Sequence, residues 1–218
     1  MEYIKNQKFI ILLIILVLFT LLTCKYRIKN IKHYYTFPLY PEIFKDFFSK
    51  NEIKRILDSC SQFSKSTIVK DGKLVYSNYR TSSSCFINEY SDISKFLRNK
   101  IKKTFNLEND IELQLTHYNT GEYYDYHYDY FSANNLENKR QRLKTIFVYL
   151  ECPNKGGETE FPLLNKKFNP NVGDAIMWTN CFKSSKGYDY IKHSFHGGMK
   201  VTKGKKIGLN IWILDKNS

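Results

Sequence analysis

The stretch LKTIFVYL, residues 143–150, decides the fold class. It is rich in β-branched and aromatic residues and carries neither glycine nor proline, which is typical of a β-strand. A second stretch, residues 111–115, places Ile111, Leu113 and Leu115 in alternation with polar residues, the pattern of a half-buried strand. The second half of the chain is therefore predicted to be built of β-strands.

Further strands are predicted on either side of this core, at 175–179 and 207–214. Upstream, Asp71-Gly72 tolerates the positive φ values of a tight turn, and so predicts a hairpin between 67–70 and 73–76. Glycines and prolines punctuate the region between the strands, as turns require: Gly156, Gly157, Pro162, Pro170, Gly173, Gly197, Gly198 and Gly204. Many short strands separated by turns indicate a jelly roll or a β-sandwich.

Two helices are predicted before the strands. Ser49 and Glu52 form a capping box, and apolar residues at helical spacing follow it, which predicts a helix over 50–63. A similar spacing predicts a second helix over 92–105. Helices followed by strands indicate an α+β protein in which the β core is buttressed by N-terminal helices.

Length and composition bound the function. The 218 residues suit one globular domain with an appendage, and the 42% hydrophobic content excludes wholesale disorder. The net charge of +13 favours acidic partners in principle. Because the lysines are scattered and no nucleic-acid-binding motif accompanies them, we expect no nucleic-acid partner.

An apolar run at residues 9–24, FIILLIILVLFTLLTC, predicts a signal anchor or transmembrane helix. Cleavage as a signal peptide is the alternative, but a small-residue cleavage site is missing. The run divides the chain into a tail (1–8), the anchor (9–24), a basic juxtamembrane linker (25–40) and a domain (41–218). We expect a single-pass membrane protein, with the membrane as a partner through this helix.

The sequence does not decide on which side of the membrane the domain lies. Lysines and arginines are more numerous after the span than before it, which would place the domain in the cytosol. A short N-terminal tail before a signal anchor favours the opposite, with the domain in the lumen of the endoplasmic reticulum. The cysteines beyond the span are Cys60, Cys85, Cys152 and Cys181; they allow three pairings, or buried free thiols.

The motif that carries chemistry is His127-Tyr128-Asp129. Residues two apart on a strand point to the same face, so both side chains can bind one metal ion. A His-x-Asp pair with a distant histidine is the facial triad of non-haem Fe(II) oxygenases, and His196 is the best candidate for the third ligand. A His193/His196 pair and a polar surface pair on a tyrosine-rich strand are the alternatives.

Lys206 follows His196 by ten residues, with glycines at 197, 198 and 204 that would let the chain turn back into the same barrel. If the metal chelates the keto-acid end of 2-oxoglutarate, the distal carboxylate needs a buried cation. A lysine meets that need because the ion pair offsets its desolvation. One more solvated lysine in a lysine-rich chain is the alternative.

From about residue 80 to 214 the chain closely resembles the catalytic domain of prolyl 4-hydroxylases, which are Fe(II)- and 2-oxoglutarate-dependent dioxygenases. The matching stretches are RTSSSCF (80–86), HYNTGEYYDYHYDYF (117–131), RLKTIFVYLECPNKGGETEFP (142–162), FNPNVGDAIMWTN (168–180) and HGGMKVTKGKKIGLNIW (196–212). The resemblance implies a double-stranded β-helix core, Fe(2+), 2-oxoglutarate as co-substrate and L-ascorbate as reductant. It also implies hydroxylation of proline at C4 in proline-rich or collagen-like peptides.

The resemblance also assigns roles to single residues. The metal ligands fall on His127, Asp129 and His196, and the lysine for the distal carboxylate of 2-oxoglutarate falls on Lys206. Residues that help to hold the co-substrate fall on Tyr118 and Thr159, and residues that line the peptide groove fall on Arg142 and Trp212.

Two departures from the family pattern stand out. Where the family usually has His-Ala-Gly-Cys-Pro-Val, this chain has His-Gly-Gly-Met-Lys-Val at 196–201, and Ile207 replaces the usual tryptophan after the lysine. The alternatives to a prolyl hydroxylase are a related oxygenase acting on lysine or a small molecule, and a non-catalytic membrane-anchored binding or structural protein. Lys206 favours the prolyl group, because many other oxygenases use arginine there.

Overall fold

The computed structural model describes residues 37–132 and 140–216. They belong to one compact unit, Thr36–Ser218. The described helices are α1 (Lys50–Leu57) and α2 (Asp92–Phe105). The described strands are β1 (Glu42–Phe44), β2 (Ser64–Lys65), β3 (Ile68–Lys70), β4 (Lys73–Val75), β5 (Ser83–Phe86), β6 (Ile111–Tyr118), β7 (Tyr124–His127), β8 (Arg142–Glu151), β9 (Lys155–Gly156), β10 (Thr159–Phe161), β11 (Lys166–Phe168), β12 (Ala175–Thr179), β13 (Cys181–Ser184), β14 (Gly187–Tyr190), β15 (His196–Gly198), β16 (Val201–Lys203) and β17 (Lys206–Leu214).

Two antiparallel sheets form the core. The larger has seven strands in the order β1-β12-β8-β17-β6-β5-β2, and the smaller has four in the order β11-β10-β15-β7. Strand β17 pairs with β6 on one side and β8 on the other, so Lys206 lies opposite Tyr118. In the smaller sheet β15 pairs with β7, which sets His196 opposite His127. The sheet-rich jelly roll expected from the sequence is therefore present.

Alternation along β8 separates the two faces of the larger sheet. Ile146, Val148 and Leu150 pack with apolar residues of α1 and α2 in one buried cluster. Phe147 and Tyr149, which point the other way, belong to a second cluster with side chains from the smaller sheet. The helices thus cover one face of the larger sheet, and the other face is left to build the space between the sheets.

The two predicted helices form, but the first is shorter than expected. The capping box is present: Ser49 Oγ accepts from the backbone N–H of Glu52, whose carboxylate accepts from the Ser49 backbone N–H. The prediction that α1 continues to residue 63 is wrong, since the helix ends at Leu57. The apolar spacing extended to Cys60 because that side chain is turned inward to a disulfide bond, not because the helix continues. Helix α2 has the predicted bounds.

The hairpin at Asp71-Gly72 is confirmed. Both residues have positive φ, 50° and 74°, and β3 and β4 pair on either side of them. The other predicted strands also form, each within a few residues of its expected ends. Gly204, with φ of 88°, makes the predicted turn before β17. Gly197 and Gly198 do not turn: they lie inside β15.

Cys60 and Cys85 form a disulfide bond, and Cys152 and Cys181 are unpaired. The bond joins the segment after α1 to β5 and closes a loop that contains the hairpin β3–β4. The predicted tail (1–8), anchor (9–24) and most of the predicted linker (25–40) lie outside the described residues. Among residues 37–132 and 140–216, none of the helices is long and apolar enough to cross a membrane.

Candidate metal centre

Three side chains meet between the sheets. The prediction that His127 and Asp129 lie on one strand is wrong, because β7 ends at His127. His127 ends β7, Asp129 follows two residues later, and His196 begins β15, so strand pairing sets the imidazoles side by side with ring centroids 4.4 Å apart. Asp129 Oδ1 lies 3.6 Å from His127 Nε2, and Oδ2 lies 3.9 Å from His196 Nε2. One ligand atom from each residue falls within 4.8 Å of the others, which suits a single metal ion.

Backbone carbonyls orient both imidazoles. His127 Nδ1 lies 2.7 Å from the carbonyl oxygen of Asp125, and His196 Nδ1 lies 2.8 Å from that of Ser194. A carbonyl can only accept, so each Nδ1 carries the proton and each Nε2 keeps a free lone pair. This arrangement fixes the tautomer that a metal ligand requires.

The electrostatics of the three groups also suit a cation. Burial alone would raise the pKa of Asp129, but His196, His127 and Arg142 outweigh it and hold that pKa well below its usual range. Burial, with His127 alongside, lowers the pKa of His196 to about 4. At pH 7 the site therefore offers one carboxylate and a neutral His196 imidazole, the donor types that Fe(II) accepts.

Lys206 lies deeper between the sheets and is almost completely buried, with 2% of its surface exposed. Its ammonium donates to the carbonyl oxygen of Gly157 at 2.7 Å and lies within 4.9 Å of the ring centroids of Phe147 and Tyr149. Burial lowers its pKa to about 7. A buried cation without a carboxylate partner among the described residues is expensive, so the pocket is suited to an anionic ligand.

Gly157 makes this position possible in two ways. Its φ is 76°, a conformation that side chains rarely adopt. A Cβ at this position would lie 2.7 Å from Pro153 and 3.5 Å from Lys206 Cδ. The backbone can therefore approach the lysine closely enough to accept its hydrogen bond.

Tyr118 and Thr159 lie in the same cavity as Lys206. The Tyr118 ring centroid is 5.7 Å from the lysine ammonium, and burial raises the pKa of its hydroxyl. Thr159 Oγ1 lies 2.5 Å from the Tyr149 hydroxyl. The structure thus brings together the triad, the lysine and both hydroxyl groups in one cavity of about 50 Å³.

Arg142 and Trp212 stand at the boundary between this cavity and a larger groove of about 610 Å³. The guanidinium lies 3.4 Å from the indole centroid, and it binds Glu112 at 2.9 Å. The groove runs past His127 and Asp129. Its walls also include the hairpin β3–β4 and several tyrosines: Tyr79, Tyr124, Tyr126 and Tyr128.

Several residues around the triad make contacts that the sequence did not indicate. Tyr124 stacks on His127 with ring centroids 3.5 Å apart, and the Arg80 guanidinium lies 4.7 Å from the Tyr124 centroid. Others line the small cavity from the larger sheet: Phe147, Trp178 and Asn210. Their spacing in the sequence matches that of ordinary inward-facing strand residues, so only strand pairing reveals that they face the triad.

Comparisons with known proteins agree with this geometry. The family model described as the 2OG-Fe(II) oxygenase superfamily matches residues 113–214. Probable prolyl 4-hydroxylase 3 of Arabidopsis thaliana is 32% identical over 197 residues. The match covers 78% of this chain and 68% of the Arabidopsis protein. Prolyl 4-hydroxylase subunit alpha-1 of Caenorhabditis elegans is 30% identical over 189 residues, covering 81% of this chain. This chain spans only 33% of the length of that subunit.

A solved structure is similar throughout the domain. The viral collagen prolyl hydroxylase from Paramecium Bursaria Chlorella virus-1, in complex with 2OG, superposes with a TM-score of 0.65 at 26% identity. The match covers 81% of this chain and 97% of that one.

Proposed function

We propose, since this chain belongs to the prolyl 4-hydroxylase family of 2OG-Fe(II) oxygenases, that it is a dioxygenase which hydroxylates peptidyl proline at C4. The observation that carries the proposal is that one cavity is lined by the triad and by Lys206, a buried lysine with no carboxylate partner among the described residues. A metal site alone suits many reactions. A metal site with a buried ammonium behind it suits a co-substrate that chelates the metal at one end and carries a carboxylate at the other.

Fe(II) would be held by His127, Asp129 and His196. Each would bind it through the atom that its hydrogen bonds leave free, which is Nε2 in the histidines and Oδ1 in Asp129. Bound iron supplies the oxidising chemistry by which O₂ and 2-oxoglutarate yield succinate, CO₂ and the new hydroxyl group. The protein holds the ligands in place, since both imidazoles are fixed by backbone carbonyls. L-ascorbate as the reductant is proposed from the resemblance to the family alone.

Lys206 would pair with the distal carboxylate of 2-oxoglutarate, and Tyr118 and Thr159 would donate hydrogen bonds to it. Burial favours this arrangement, because an ion pair in a dry pocket is much stronger than one in water. Phe147 and Trp178 contribute aromatic surface to the walls of this cavity. The co-substrate would therefore exchange the lysine's present hydrogen bond to Gly157 for a charged partner.

The peptide substrate would lie in the larger groove. An extended proline-rich chain has no internal hydrogen bonds and binds well between aromatic rings, which line this groove. Arg142 and Trp212, which line both the groove and the small cavity, would hold the target proline beside the triad. Proline-rich or collagen-like peptides are thus the proposed substrate class.

We also propose that residues 9–24 anchor the chain in a membrane and that the catalytic domain lies in the lumen of the endoplasmic reticulum. The Cys60–Cys85 bond supports an oxidising compartment, because disulfides persist there and are rare in the cytosol.

The function is tested on the full chain, purified in mild detergent and supplied with Fe(II), 2-oxoglutarate and ascorbate. We expect succinate release that depends on a proline-rich peptide, and a gain of one oxygen on proline by mass spectrometry. The peptide panel includes collagen-like, polyproline and Ser/Pro repeats, together with a lysine-containing peptide without proline. Oxidation of lysine instead of proline would support the related oxygenase, and absence of turnover with every peptide would contradict the proposal.

The lowered pKa of Lys206 predicts how the affinity for 2-oxoglutarate varies with pH. The free lysine loses its proton as the pH rises through about 7, whereas the bound carboxylate stabilises the charged form and raises this pKa. Binding above pH 7 therefore takes up a proton. Cys152 and Glu158 raise the pKa of Lys206, but the effect of burial is larger and lowers it. The titratable groups around the lysine are Tyr118, Tyr149, Cys152, Glu158 and His196.

We expect the Kd for 2-oxoglutarate to be about tenfold higher at pH 8 than at pH 6, at saturating Mn(II). Calorimetry in two buffers of different ionisation enthalpy measures the Kd and the proton uptake together. Pyruvate, a 2-oxo acid without the distal carboxylate, serves as the control and should show no such change. A Kd for 2-oxoglutarate that is constant from pH 6 to 8.5 would contradict the prediction.

A further inference from the structure

A chain of hydrogen bonds runs from Asp129 into the larger sheet. Thr145 Oγ1 donates to Asp129 Oδ2 at 2.7 Å, and Asn180 Nδ2 donates to Thr145 Oγ1 at 2.8 Å. Thr145 and Asn180 are completely buried, and Asp129 is 7% exposed. Neither Thr145 nor Asn180 belongs to the triad or contacts the lysine end of the cavity.

The direction of these bonds follows from the chemistry of the groups. Asp129 is ionised and can only accept, so the single hydroxyl proton of Thr145 must point to it. The Thr145 oxygen can then only accept from the other side, and the Asn180 amide supplies the proton. The Asn180 Oδ1 atom has no hydrogen-bond partner among the described residues, so the amide is held by the bond that it donates.

The sheet keeps this chain of bonds dry. Thr145 lies directly opposite Trp178 on β12 and opposite Trp212 on β17, so an indole flanks it on each side. Both tryptophans are nearly completely buried. A hydrogen bond to a carboxylate is strongest where water cannot compete for it.

We propose that Thr145 and Asn180 are positioning residues that fix the Asp129 carboxylate in the orientation that binds the metal. The Thr145 proton occupies Oδ2 and keeps the carboxylate from rotating. Oδ1, the oxygen 3.6 Å from His127 Nε2, is thereby left to the metal. Asn180 enforces the direction of the Thr145 proton. This inference rests on the proposed function, because it assumes that the triad binds iron.

The test compares metal affinity among variants of the full chain. Thr145→Val keeps the shape of the side chain but removes its hydroxyl group. We expect it to weaken Fe(II) binding, measured anaerobically, by about 10- to 100-fold, the usual effect of losing a partner that orients a ligand. Thr145→Ser restores the hydroxyl group and should bind Fe(II) within about threefold of wild type.

Two further variants separate positioning from packing. Thr179→Val removes another buried hydroxyl group, which donates to the Pro38 carbonyl at 2.8 Å, and should leave Fe(II) affinity unchanged. Asn180→Leu leaves the Thr145 proton free to turn away, and should weaken Fe(II) binding by about fivefold. The absorption bands of bound Co(II) provide a second measurement, and they should change in Thr145→Val but not in Thr179→Val.

The result that overturns the inference is equal Fe(II) affinity and equal Co(II) spectra in wild type and Thr145→Val. Equal loss of affinity in Thr145→Val and Thr179→Val would overturn it as well, since packing would then explain both. Failure of the wild-type chain to bind Fe(II) would overturn the proposed function itself. The two failures are therefore distinguishable.

Discussion

Replacing His196 by alanine is expected to abolish iron binding and turnover together. The triad then keeps two ligands, and the affinity for Fe(II) should fall by more than about 100-fold, beyond the loss expected from a supporting residue. Turnover should fall at least about 10³-fold, because the metal supplies several kcal/mol of the barrier reduction. Anaerobic titration with Fe(II) and succinate release measure the two effects.

His193→Ala is the matched control. His193 was the alternative partner in the sequence, lies three residues earlier in the chain, and is exposed at the surface. Its replacement should change neither iron affinity nor turnover. If His196→Ala retained both iron binding and turnover, or if His193→Ala lost them, the triad would be misassigned.

Lys206→Met is expected to have opposite effects on co-substrate binding and on stability. Removing one partner of a buried ion pair typically costs about 3–5 kcal/mol, so the Kd for 2-oxoglutarate should rise by about 10²- to 10⁴-fold at saturating Mn(II). In the free protein the lysine is buried with only a carbonyl partner. An apolar side chain of similar length should therefore raise the melting temperature of the metal-free protein.

Lys205→Met provides the control for this change. Its ammonium is exposed and pairs with Glu151 at 3.1 Å, away from the cavity. It should alter neither the Kd for 2-oxoglutarate nor the affinity for iron. A Lys206→Met variant that bound 2-oxoglutarate as wild type does would show that the distal carboxylate binds elsewhere.

Much of the fold could be predicted because local signals and tertiary packing agree. The alternation at 111–115, the buried run at 143–150 and the Asp71-Gly72 turn each specify a structure that the sheet then uses. The end of α1 could not be predicted, because Cys60 continues the apolar spacing of the helix although it lies beyond its end and forms a disulfide bond with Cys85. Strand β15 was not predicted either, because it has only three residues.

In the candidate site, too, some residues could be predicted from the sequence and others could not. Residues with an unusual chemical type at a recognisable spacing, such as His127 and Asp129, are visible in a single sequence. Thr145 and Asn180 are not, because a threonine and an asparagine in or beside a strand are ordinary. Their roles depend on the register of β8 against β12, which only the folded structure supplies.

Gly208 lies on the same face of β17 as Lys206, and Phe147 occupies the space that a side chain there would need. A Cβ on this residue would lie 2.1 Å from Cζ of the Phe147 ring. Any larger residue at 208 would push the ring, whose centroid is now 4.9 Å from the ammonium, out of its place. Glycine at 208 therefore lets this aromatic ring stay packed beside the ammonium.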